Sequence, residues 1–195
     1  MLNDQADRLE EILLRGDSEA AAALAERRAP EMLLVKNRVL HSLTDQYRAG
    51  KAPFCQLTAA CQAAAAFYDA ALPPAACCGA VCGNTSSTGR DFMMMLLRGW
   101  GMPALDLGTD VRPEAFLSAV REHGLRFAVC VAFSQADLEA VRELHELALS
   151  RGIRDRFALL VTGVNPDPAQ GSIPADLQEH SAAAVAEWMV DKWMS

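Results

Sequence analysis

Beyond Pro73-Pro74 the chain alternates short apolar runs with helical stretches of ten to fifteen residues, and this alternation constrains the fold more than any other feature. The apolar runs predict strands at Ala76 to Cys82, Ala104 to Leu107, Phe127 to Ala132 and Phe157 to Val161. The stretches between them predict helices near Gly89 to Trp100, Pro113 to His123 and Asp137 to Arg151, with a last one from Ser181 to Trp193. Strand runs this uniformly apolar, separated by helices, call for a parallel sheet buried on both faces. Ligands in such sheets bind beyond the carboxyl ends of the strands. The loops to watch are therefore Gly83 to Gly89, Phe133 to Ala136, and Thr162 to Gln170.

The first seventy residues follow a different pattern. Leu9, Ile12 and Leu13, then Ala20, Ala23 and Leu24, recur at helical spacing. Gly16-Asp17 interrupts them, with Asp17 placed as an N-cap. Further helices are expected from Pro30 to Tyr47 and from Phe54 to Ala71, with Gly50 and Pro53 between them. Short connections between such helices predict an antiparallel bundle of about four. The run Ala63 to Ala66 permits close helix contact. The expected fold class is thus α/β: an N-terminal helical bundle over residues 1–73, then a Rossmann-like, flavodoxin-like parallel sheet domain over 74–195.

Charge and cysteine usage exclude several functions. The net charge of −7 disfavours a nucleic-acid partner, which needs a basic face. No apolar run reaches bilayer length, and the first seventeen residues are studded with charge. Neither a membrane span nor a secretory signal is expected, which places the chain in the cytoplasm. The six cysteines are then expected to be reduced. Cys77, Cys78 and Cys82 lack the CxxC spacing and nearby histidine of a metal site, and in CCGAVC they read as small strand hydrophobes. Met93, Met94 and Met95 likewise read as core.

The most informative segment is GNTSSTG, Gly83 to Gly89, which sets five polar side chains between two glycines where a strand ends and a helix begins. Backbone N–H groups at such a helix start favour an anion or a polar ligand edge. A phosphate-binding loop would need Lys after its second glycine, yet Arg90-Asp91 follow and the glycine spacing is one residue longer.

The stretch GNTSSTGRDFMMMLLRGWGMPALDLGTDVRPEAF resembles the cobalamin-binding domain of methionine synthase and the corrinoid proteins of methyltransferase systems. Leu105 to Val111, Pro113 and Glu114 match that family's second-strand segment, and YRAGKAPFCQL, Tyr47 to Leu57, resembles its helical cap. The resemblance spans nearly the whole chain. The family carries Asp-x-His-x-x-Gly after the first strand, where the His coordinates cobalt from below and the Asp holds its other nitrogen. Here Asn84 stands for the Asp, Ser86 for the His, and Gly89 is retained.

The resemblance implies cobalamin bound base-off, with no protein histidine on cobalt. Its nucleotide tail would lie along Asn84, Thr85, Ser86, Ser87, Thr88 and Gly89, along Ser134 in Ala132-Phe133-Ser134, and past Thr162-Gly163, which stand for the family's Gly-Gly, and Val164. His41, His123 and His145 fall on helices; His180 is the histidine nearest the ligand side. Tyr47, Phe54, Phe67 and Tyr68 are candidates for a lid in the cap as well as for bundle core. No catalytic constellation is visible. The implied role is a methyl-carrying subunit serving methyltransferase partner proteins. A cobalamin sensor acting through a protein partner and a scaffold that binds no cofactor are the alternatives. The sequence sets no oligomeric state and leaves a homo-oligomer open.

Overall fold

The computed structural model of the chain describes residues 2–26, 30–163 and 173–195. The chain divides into two compact units, one of Met1–Ala71 with Met95–Met102, the other of Leu72–Met94 with Pro103–Ser195.

The first unit is helical. It contains α1 (Leu2–Arg15), α2 (Ser18–Ala25), α3 (Pro30–Arg48) and α4 (Phe54–Ala64), followed by a 3₁₀ turn over Ala65–Phe67. Asp17 caps α2 by accepting from the Ala20 N–H at 2.9 Å. Gly16 adopts φ +69° in the turn before it, and a Cβ there would stand 2.6 Å from that of Ala59, so α4 can approach only a glycine. The helix expected to reach Ala71 ends at Ala64, because an alanine run favours helix without encoding where it stops. Leu9, Leu13, Leu40, Leu43 and Leu57 form the buried interior. Lys36 is buried too. Its ammonium donates to the carbonyls of Gly99 at 3.2 Å and Trp100 at 2.8 Å, capping the end of the segment Met95–Met102. Burial pulls its pKa down to about 8.

The second unit is a five-stranded parallel sheet in the order β2-β1-β3-β4-β5. Its strands are β1 (Ala76–Val81), β2 (Ala104–Val111), β3 (Phe127–Val131), β4 (Ala158–Thr162) and β5 (Leu177–Glu179). The first four match the sequence reading, except that β1 stops at Val81 and leaves Cys82 exposed at the head of the loop instead of buried in the strand, and β2 runs further, to Val111. Its pairing with β1 shifts at Gly79, and Gly108 (φ 89°) and Asp110 (φ 54°) bend it. β5 was not anticipated. It is three residues long and half-buried, so it lacks the apolar run that marks a central strand.

The helices of this unit are α5 (Thr88–Trp100), which extends into the first unit, α6 (Pro113–His123), α7 (Gln135–Ser150) and α8 (Ala182–Met194). Cys77, Ala128, Cys130, Leu159 and Val161 pack on one sheet face with Phe116, Leu117, Leu138 and Val141 of α6 and α7. On the other face Phe127 meets Trp188 of α8 edge-on, with ring centroids 6.4 Å apart. Cys77, Cys78 and Cys130 are fully buried strand residues, and burial pushes the thiol of Cys77 up to about 12. Met93 is fully buried and Met94 nearly so. Among the described residues no helix is long and apolar enough to cross a membrane.

Candidate functional site

The strand order reverses between β1 and β3, so their connections leave in opposite directions, the switch point at which parallel sheets of this kind bind ligands. The β1 connection begins with a hydrogen-bonded frame. Gly83 (φ 88°) donates its N–H to Asp110 Oδ1 at 2.8 Å, and the Asp110 N–H donates to the Asn84 carbonyl at 2.9 Å. Asp110 is the one non-glycine residue with positive φ among those described, a conformation Asp tolerates better than most. The Gly83 N–H and then the Cys82 thiol hold its carboxyl below the usual carboxylate range.

Asn84 is turned inward and is 7% exposed. Its Oδ1 accepts from the Ser86 N–H at 3.0 Å, and its Nδ2 donates to the Val131 carbonyl at 3.4 Å. The amide therefore ties the loop to the end of β3. Beyond it the chain turns outward. Thr85, Ser86 and Thr88 are exposed and Ser87 is half-buried, while the Ser87 carbonyl accepts from the Asp91 N–H at 2.8 Å to open α5. Among the described residues none of these four hydroxyls is tied by a side-chain hydrogen bond. They form a rim of unspent donors and acceptors around a helix N-terminus.

Arg90, one residue past Gly89, turns away from this rim. Its guanidinium contacts both oxygens of Asp106 on β2, at 2.8 and 2.7 Å, and Asp91 at 2.6 Å. The cation that follows the glycine loop is thus committed to carboxylates, which removes the charge a phosphate-binding loop would use.

On the β3 side, Ser134 is the N-cap of α7. Its hydroxyl donates to Asp137 Oδ1 at 2.6 Å and accepts from the Asp137 N–H at 3.2 Å. The second Asp137 oxygen accepts from the Phe133 N–H at 2.8 Å. On the β4 side, Thr162 is buried and reaches the His180 carbonyl at 3.5 Å. The Gly163 carbonyl accepts from His180 Nδ1 at 2.9 Å.

Three solved structures share this architecture. A cobalamin-binding protein from Desulfitobacterium hafniense superimposes with TM-score 0.80 at 18% identity, over 97% of this chain and 98% of its own. The methanol:cobalamin methyltransferase complex of Methanosarcina barkeri gives 0.68 at 19% identity, over 95% and 78%. The monomethylamine corrinoid protein of the same organism gives 0.56 at 16% identity, over 95% and 96%. The chain has the corrinoid-protein fold. No family model matches the sequence, and no curated protein sequence matches it.

Within the corrinoid-protein fold the sequence-derived residues separate into two groups. Thr85, Ser86, Ser87 and Thr88 lie together on the carboxyl edge, their hydroxyls without a side-chain hydrogen bond among the described residues. Asn84, Ser134 and Thr162 reach the same edge, but their polar groups are spent inside the protein. Gly89 and Gly163 serve close packing against Phe133, where an added Cβ would stand 2.5 and 3.0 Å from the ring. Val164 lies outside the described residues.

His123 ends α6 at the amino edge of the sheet, and His145 on α7 accepts from Arg154 Nε at 3.0 Å. His180 alone of the three histidines in this unit stands at the carboxyl edge. It is three interstrand steps from β1, about 14 Å, so its ring cannot take the place of a side chain at Ser86. Two contributors escaped the sequence reading. Asp110 carried a signal, an Asp shortly after a strand glycine. Phe133 carried one as well, a large apolar residue at a strand end next to a capping serine.

Proposed function

We infer that the chain is a corrinoid carrier. It binds cobalamin at the carboxyl edge of the sheet and presents it to separate methyltransferase proteins, with residues 1–73 as a cap domain and 74–195 as the cofactor domain. One observation carries this reading. At the switch point of a corrinoid-protein fold, four hydroxyls stand in a row with no side-chain hydrogen bond among the described residues. A corrinoid presents an amide-studded periphery and a polar nucleotide appendage, and unspent hydroxyls on a fixed loop match that chemistry.

The fit has a definite limit. The chain supplies no imidazole at the β1 connection, and the neutral hydroxyl of Ser86 is a poor cobalt donor. The macrocycle brings its own four nitrogens, so no cluster of metal-ligating side chains is required. When bound, the corrinoid supplies a cobalt centre that accepts and releases a methyl group. The protein's part is to hold it. Thr85, Ser86, Ser87 and Thr88 would donate to and accept from its polar edge, and Asn84 and Asp110 keep those residues in place through the loop frame. The cofactor would then be held base-off by these loop residues, with no side chain of the β1 connection ligating cobalt.

Visible absorption after mixing the purified protein with hydroxocobalamin and desalting tests this. Retained chromophore with a base-off spectrum is the expected result. Colourless, folded protein would remove cobalamin and leave a scaffold that acts only on other proteins.

A further inference from the structure

Phe133 is 48% exposed although its neighbours Val131 and Ala132 are fully buried. Its ring lies across two glycines from different elements. A Cβ on Gly89, in the first turn of α5, would stand 2.5 Å from Cζ and 3.1 Å from Cε2. A Cβ on Gly163, at the end of β4, would stand 3.0 Å from Cδ1 and Cε1. The two glycines therefore leave a gap one ring wide, opening to solvent at the switch point and bordered by Val131 and the Ala132 carbonyl. The protein's own aromatic ring fills it.

The ring is held by contact alone. Its backbone is pinned by the Phe133 N–H bond to Asp137 and by the Ser134 cap, so the ring can leave by rotating about χ1 while the loop stays in place.

We propose that Phe133 is a specificity determinant that occupies a slot at the binding edge and must swing out before a narrow ligand appendage can enter. The proposal rests on the corrinoid reading. A flat macrocycle is far too wide for a gap of one ring, whereas the pendant nucleotide chain of cobalamin is narrow enough. The chain as folded thus favours corrinoids without a tail, and binding of cobalamin carries the cost of displacing the ring.

The test compares hydroxocobalamin with diaquocobinamide, which has the same macrocycle and no nucleotide tail, on wild type, F133A and F133L by equilibrium dialysis. With the outward rotamer populated at roughly one part in ten, F133A tightens cobalamin binding about tenfold and leaves cobinamide within about twofold, with F133L in between. A residue that merely stabilised the loop would move both ligands together. Unchanged or weaker cobalamin binding by F133A, with cobinamide still retained, overturns the selector and leaves the corrinoid reading standing. Failure of all three proteins to retain either corrinoid while folded overturns both.

Discussion

At the amino ends of the strands Arg154 spends its whole guanidinium inside the protein. It donates to Asp176 at 2.8 Å, to the ring of His145 at 3.0 Å and to the Phe157 carbonyl at 3.2 Å. Asp176 also accepts from the Leu159 N–H at 2.7 Å, and Arg126 reaches back to the Lys192 carbonyl at the end of α8 at 2.8 Å. Arg154 and Asp176 fasten β4 to β5, and Arg126 fastens the start of β3 to the terminal helix. At the carboxyl end of β1 the polar side chains are smaller, and four of them have no side-chain hydrogen bond among the described residues. Close approach there is achieved by glycine and one aromatic ring. A polar group already satisfied by the protein adds stability, whereas one left to solvent is available to a ligand. The difference between the ends is one of purpose, written in which hydrogen bonds are closed.

The sharpest challenge to that contrast lies in the glycines of the carboxyl edge. Gly163 holds φ 107°, and an added Cβ would meet the Ala132 carbonyl oxygen at 2.5 Å. G163A is expected to cost about 3 to 4 kcal/mol in chemical denaturation, from backbone strain plus overpacking. F133A should not rescue it, because the offending atom is backbone. G89A meets only side chains, so F133A should recover most of its smaller loss. Rescue of both, or of neither, would show that the packing around the ring has been misread.

The next effect belongs to the amino edge. D176A leaves the Leu159 N–H without its acceptor and leaves Arg154 Nη2 only the Pro174 carbonyl at 3.5 Å, and about 2 kcal/mol of stability should go with it. Corrinoid retention by the folded fraction should not change, since the fastened end has no part in binding. Lost retention in fully folded D176A would dissolve the division of labour between the two ends.

The smallest expected effect on stability is the most telling. T85A/S86A/T88A removes three hydroxyls that hold nothing in the fold, so the melting transition should move by no more than about 0.5 kcal/mol. Hydroxocobalamin binding should weaken about tenfold or more, through lost hydrogen bonds. Unaltered binding together with unaltered stability would leave the rim without a function.

Much of the architecture was legible because parallel strands buried on both faces must read as continuous apolar runs. CCGAV, FAVCV and ALLVT could hardly be anything else. Helix ends with a chemical signal were legible too: Pro113 at the first turn of α6 and the stop at His123 before Gly124 in the left-handed conformation. The cap role of Ser134 was not, and α7 begins two residues before the expected Asp137. Elements without such signals were not. β5 forms from Leu177, Gln178 and Glu179 because β4 offers it an edge, with Leu177 opposite Leu160, and three mixed residues carry no periodicity of their own. α4 stops among alanines that would have suited several more turns.

The candidate site divides in the same way. Its location followed from sequence, since a polar run between two glycines at a strand-to-helix junction puts hydroxyls at the carboxyl edge of any parallel sheet. The direction in which each side chain faces did not. Whether Asn84 looks out toward a ligand or in toward the Val131 carbonyl depends on where β3 ends, and that is set some fifty residues later in the chain. Whether Gly89 admits a ligand or a phenyl ring depends on Phe133 and Gly163, brought beside it by strands that are neighbours only in the folded sheet. Local patterns report the demands of the backbone, residue by residue, so the sequence alone determined the α/β layering, four of the five strands and the placing of a polar loop at their carboxyl edge. The pairing of polar groups and the filling of the slot are contacts between distant segments, and only the tertiary structure decided them.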